Sequence, residues 1–202
     1  MRFGLARPAA WLVMLLFCSS AMALDRNSLL DDANLLLFPR ERALPSLQLV
    51  DEKGATFNTG SLRGRWHLMF FGFTACPDVC PTTLSDMRRL FADLPADIRK
   101  QLQLVLISAD PARDTPEALR NYLAYYRAGF MGLTGDMAQL LALSKALGLP
   151  IVPPQQTSGN YTVAHSGNIA IVAPNGKLRG YIRSPLKLDA LSQALPQLIE
   201  AD

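Results

Sequence analysis

The stretch WHLMFFGFTACPDVCPTTL, residues 66–84, decides how the chain is read. Trp66 to Phe73 is a nearly continuous apolar run of eight, which suits a central strand buried on both faces. Cys76 and Cys80 follow, with three residues between them. Beyond them Leu84, Met87, Leu90, Phe91 and Leu94 recur at helical spacing. Pro81 falls in the first turn of that helix, where its missing N–H costs nothing. The two cysteines therefore stand at a strand-to-helix turn.

Outward from this turn the elements alternate. LQLVLISAD (102–110) is a second buried strand. Asp114-Thr115-Pro116-Glu117 then opens a helix with a side-chain cap and an early proline. FMGLTG (130–135) is a short strand, and DMAQLLALSKALGL (136–149) a helix with Asp136 at its cap and Gly148 as its stop. Upstream, LQLVDEKGATFN (47–58) reads as a β-hairpin turning at Lys53-Gly54. Downstream, PIVPPQQTSGN (150–160) is a polar, Pro-rich loop. YTVAHSGNIAIVAPNGKLRGYIRSP (161–185) is a hairpin about Asn175-Gly176, and a last helix runs from about Leu186 to Ile199. This order predicts an α/β protein of thioredoxin-like fold, with an N-terminal β-hairpin and a C-terminal β-hairpin plus helix. The cysteines would stand at the carboxyl end of a parallel strand, where open α/β sheets bind ligands.

The N-terminus reads as an export signal. Arg2 and Arg7 precede an uncharged stretch, residues 8–24, and Ala21 and Ala23 give the A-x-A pattern of a cleavage site. Residues 1–23 are the expected signal peptide, 24–43 a leader and 44–202 the folded domain. An uncleaved anchor at residues 8–24 is the alternative, because seventeen residues is the short edge of a membrane span. A lipoprotein reading of Cys18 is a third, and bulky Phe17 fits it poorly. In either of the first two cases the domain faces the periplasm. The formal charge of +3 includes Arg2 and Arg7, so the exported part is nearly neutral. No basic stripe with interleaved aromatics exists, which argues against a nucleic-acid partner.

Of three cysteines, Cys18 leaves with the signal. A lone adjacent pair is not a disulfide framework, and it closes too short a loop to constrain the unfolded chain much. Three chemistries then compete. Thiol–disulfide exchange is favoured by a helix N-terminus, which stabilises thiolates. It is disfavoured by the three-residue gap, since Cβ atoms about 5–6 Å apart at i and i+4 exceed the ~3.8 Å of a disulfide. A peroxidase would need an activating arginine that no motif marks. A metal site suits two sulfurs brought about 3.8–4 Å apart on one ion, but it needs a third ligand. His67 lies near the start of its strand, far from the cysteines, and reads as structural. His165, at a loop or strand start, is the better candidate. Two thiolates and an imidazole suit Cu(I) and tolerate Cu(II), whereas structural zinc wants a fourth ligand. Asp78 is either a turn former or, beside the metal, a hydrogen-bond acceptor or weak oxygen ligand. Asp110 and Asp114 read as residues that cap and shape the neighbouring loops.

The segments FFGFTACPDVCPTTL, ISADPARDTPE and AHSGNIAIVAPNGKLRGYI, in this order, resemble the Sco/SenC family of copper-binding, thioredoxin-like proteins. The resemblance extends from about Leu44 to Ile199. It implies copper held by Cys76, Cys80 and His165. It also implies a metallochaperone for assembly of the CuA centre of cytochrome c oxidase. The partner would be the oxidase's copper-bearing subunit or another copper chaperone. The protein would act near the membrane, as a monomer. A thiol–disulfide reductase acting on the oxidase subunit's cysteines is the rival activity, with Cys76 and Cys80 as its reactive pair. Ala75, before the first cysteine, and Ala109, in ISADP, depart from the family pattern; neither removes a ligand.

Overall fold

The computed structural model describes residues 28–154 and 161–201. The signal or anchor read over residues 1–24 lies outside them. Among the described residues no helix is long and apolar enough to cross a membrane.

All seven residues of β4 (Trp66–Gly72) are buried, as a two-sided central strand requires. On one flank β4 pairs in parallel with β5 (Leu102–Ser108), in register from Trp66↔Leu102 to Gly72↔Ser108. Next come β6 (Met131–Thr134), parallel to β5, then β2 (Gln48–Asp51) and its hairpin partner β3 (Thr56–Asn58). On the other flank lie β9 (Ile169–Val172), antiparallel to β4, and β10 (Lys177–Ile182). The outermost strand there is β1 (Leu35–Ala43), so the sheet runs β1-β10-β9-β4-β5-β6-β2-β3. This is the mixed α/β sheet that the sequence predicts.

Alternation along β4 divides the core. Trp66, Leu68 and Phe70 pack with α1 (Val79–Asp93), α2 (Ala96–Gln101), α3 (Pro116–Ala124) and α5 (Leu188–Ala201). Met69 and Phe71 face α4 (Met137–Leu147). Each fully buried Leu or Phe contributes about 1.5–3 kcal/mol, so this two-sided strand fixes the sheet's position and with it the turn that follows. The local signals act as expected. Thr115 accepts the Ala118 N–H at the start of α3, with Pro116 as its first residue. Gly148 ends α4 in the left-handed region, φ 65°. Asp136 occupies the cap position of α4 without a side-chain bond.

Three elements differ from the sequence expectation. Residues 35–43, within the stretch read as a leader, form the edge strand β1. Its partner β10 lies some 140 residues ahead, so no local period announces it. Arg42 fastens it by donating to the Tyr181 hydroxyl at 2.9 Å. Helix α2 is short enough to escape a periodicity argument. Inside the Pro-rich segment, β7 (Ile151–Val152) pairs with β8 (Ala164–His165) in a separate two-stranded ladder.

Candidate metal centre

β4 ends at Gly72, and the chain turns through Thr74 and Cys76 into α1. The Cys76 N–H donates to the Phe73 carbonyl at 3.1 Å, which closes the turn. Cys80 lies in the first turn of α1, completely buried, and Cys76 is half-buried. Both carry free thiols. The Cys80 N–H points at Cys76 Sγ, 3.5 Å away, as the unpaired amides of a helix start allow. Gly72 makes the slot for the buried sulfur. A Cβ there would stand 2.8 Å from Cys80 Sγ and 2.8 Å from Leu106 Cδ1.

His165 arrives from the other side, on β8 opposite Ile151. Its Nδ1 is 3.1 Å from the Ser166 carbonyl oxygen. A carbonyl only accepts, so Nδ1 carries the proton and Nε2 keeps its lone pair. That lone pair faces Cys80 Sγ at 3.5 Å. The Phe73 ring stands edge-on to the imidazole, centroids 6.0 Å apart. The two sulfurs and the histidine nitrogen all lie within 4.8 Å of one another. Two sulfurs on one ion sit about 4 Å apart, so side-chain rotation alone would close the set.

Burial pushes the Cys80 thiol well up from its ordinary pKa, and its hydrogen bond to Cys76 adds to the effect. The metal-free site therefore holds Cys80 protonated, and a cation would reverse that preference. The donor set of two soft sulfurs and an imidazole fits copper.

Both halves of the site are tied to the loop after β5. Buried Asp114 accepts from the Thr74 N–H at 3.1 Å, the Thr74 hydroxyl at 2.6 Å and the Ser108 hydroxyl at 2.7 Å. Burial raises its pKa, and the Thr74 and Ser108 hydrogen bonds oppose that shift. Asp110 pairs with the Arg113 guanidinium through one oxygen and accepts the Tyr161 hydroxyl at 2.9 Å through the other. Arg113 lies 3.7 Å over the Tyr161 ring and donates to its carbonyl at 3.2 Å. Thr74 thus anchors the cysteine turn, and Tyr161 anchors the segment leading to His165. Asp110 and Asp114 shape loops, as their sequence context suggests. Arg113 and Tyr161 carry no such mark, because their contact joins positions 48 apart.

The remaining candidates lie elsewhere. Asp78 takes the N-cap position of α1, exposed and without a side-chain cap bond, outside the Cys76–Cys80–His165 cluster. His67 is buried near the opposite end of β4, and its Nδ1 meets no hydrogen-bond partner among the described residues. Burial, then the Arg65 charge, lower its pKa to about 4.

Comparison with known proteins gives concordant results. The model of the SCO1/SenC family matches residues 39–200. A protein of Stutzerimonas stutzeri named for copper binding is 64% identical over 190 residues, 94% of this chain and 93% of that one. Among solved structures, Bradyrhizobium japonicum ScoI with copper bound superposes with a TM-score of 0.67 at 28% identity. That match covers 77% of this chain and 98% of the other. Yeast Sco1 with copper bound gives 0.73 at 25% identity, covering 80% and 90%.

Proposed function

The chain belongs to the SCO1/SenC family, and on that footing we propose that it is an exported copper metallochaperone. Copper, its cargo, is held by Cys76 Sγ, Cys80 Sγ and His165 Nε2, as Cu(I) with Cu(II) tolerated. The observation that carries this reading is the convergence of these three atoms within 4.8 Å from segments 85 residues apart. The copper-bound structures of relatives support the choice of metal.

Loading needs both thiols reduced, and it expels the proton that burial keeps on Cys80. Transfer proceeds by ligand exchange. Half-buried Cys76 and His165 meet an incoming thiol first, and buried Cys80 releases last. The receiver is the copper-bearing subunit of cytochrome c oxidase, where the CuA centre is assembled, or another copper chaperone. The protein works as a monomer in the periplasm. It is either soluble after loss of residues 1–23 or held to the inner membrane by residues 8–24.

The test is a copper titration of the reduced protein beside His165→Ala. The variant is expected to lose about a thousandfold in affinity, more than the ~10–100-fold typical of a residue behind the ligands. Equal affinity would remove the three-ligand site. The second reading, reduction of the oxidase subunit's cysteines, is favoured by the half-buried position of Cys76 at a helix start. If His165→Ala loses copper yet reduces partner disulfides at full rate, that activity stands independently of the metal.

A further inference from the structure

The end of the sheet remote from the cysteines carries a second concentration of charge. Where β4 and β5 begin, a cleft of about 560 Å³ opens between the last turns of α1, helix α2 and the turn at 127–129. Arg65, Arg88, Arg99, Lys100 and Arg127 line it, and among the described residues no acidic one does. The whole chain has 20 basic and 17 acidic residues, so five cations around one cleft are a local excess rather than a reflection of composition. Two of them are fixed as walls. Arg65 donates to the Lys100 and Leu102 carbonyls, each at 3.2 Å, and Arg99 to the Phe91 carbonyl at 3.4 Å. Arg88, Lys100 and Arg127 have no side-chain partner among the described residues. Arg127 also sits in the left-handed region, φ 50°, which a long side chain seldom adopts. Like charges gathered without counter-charges repel one another, and a bound anion relieves that repulsion.

We infer that this cleft binds a phosphoryl-bearing anion. Arg88 and Arg127 keep their planar forks uncommitted, and such forks match phosphate oxygens two at a time. The volume is that of a small-ligand site. The seven residues of β4, at about 3.3 Å each, put it roughly 20 Å from the cysteine turn. Binding here therefore does not depend on copper or on the thiol state.

The experiment uses the full purified protein, reduced and metal-free. One arm titrates pyrophosphate by calorimetry. The other measures co-sedimentation with phosphatidylglycerol vesicles against phosphatidylcholine vesicles. Saturable pyrophosphate binding supports a soluble phosphoryl ligand, and selective vesicle binding supports a lipid headgroup. In either arm the double variant Arg88→Gln, Arg127→Gln is expected to bind at least about tenfold more weakly, and raised salt to weaken wild type. Its copper affinity should stay within about twofold of wild type, which shows the fold intact. The inference is overturned if neither probe binds, or if the double variant binds as wild type does. Copper binding can fail its own test without touching this result.

Discussion

His67 and His165 stand toward opposite ends of β4, and the sequence reads the first as structural and the second as a candidate ligand. His67 is 8% exposed, and its Nδ1 finds no partner among the described residues. His165 is half-buried, its Nδ1 spent on the Ser166 carbonyl, its Nε2 turned to Cys80. The first ring is kept neutral by burial and does nothing with its lone pair. The second is held in one tautomer and aimed. A histidine's role here follows from the group at its far nitrogen more than from its depth in the fold.

The sharpest way to break this contrast is to delete each ring in turn. His165→Ala should cost about a thousandfold in copper affinity, whereas His67→Ala should leave it within about twofold, read by competition with a chromophoric chelator. If both variants lose copper equally, the two ends are coupled and the contrast fails.

Acid should next expose His67. Its folded-state pKa is near 4 and the ordinary value 6.5, so the unfolded chain takes the proton more readily between those limits. Stability is unaffected above pH 6.5, falls as pH falls, and levels off below 4, a loss of about 3 kcal/mol. Urea midpoints from pH 7 to 4 should show this loss in wild type and not in His67→Gln. Asp114 acts in the opposite sense, because its raised pKa makes protonation easier in the folded state. A loss that persists in His67→Gln would assign the acid sensitivity elsewhere.

At the metal end, Gly72→Ala should destabilise the fold by about 2 kcal/mol through overpacking. It should also weaken copper binding, since the new methyl meets Cys80 Sγ and a β5 leucine. Unchanged copper affinity would mean the sulfur has room that the static distances deny. Tyr161→Phe should have the smallest effect, since it removes one hydrogen bond, from the Tyr161 hydroxyl to Asp110. Its mark would be a modest copper loss with thermal stability nearly intact.

The parts legible in sequence are those with local causes. The run WHLMFFGF gave away the central strand because burial on both faces leaves no polar period. Thr115-Pro116 and Asn175-Gly176 announced a helix start and a hairpin through side-chain chemistry within four residues. Cys76 and Cys80 stood out because their spacing on a helix start restricts what they can do. His165 emerged by a chemical demand, that two sulfurs want a third donor. Strand β1, the β7–β8 ladder and the Asp110–Arg113–Tyr161 contacts stayed hidden. Each joins segments that are distant in the chain or only two residues long, and their residue types suit many other places.

Strand direction has a further consequence. β1 runs opposite to β10, which runs with β4, so Leu35 enters the sheet at the end that carries the cysteines. The chain is pinned there, with the Asn34 amide on the Pro185 carbonyl and the Arg183 N–H on the Asn34 carbonyl. If residues 8–24 stay in the membrane, leash and cargo share one pole of the molecule. The thiols then sweep a shallow layer beside the bilayer, and the search for the proposed receiver, if it lies in the same membrane, becomes a walk in two dimensions instead of three.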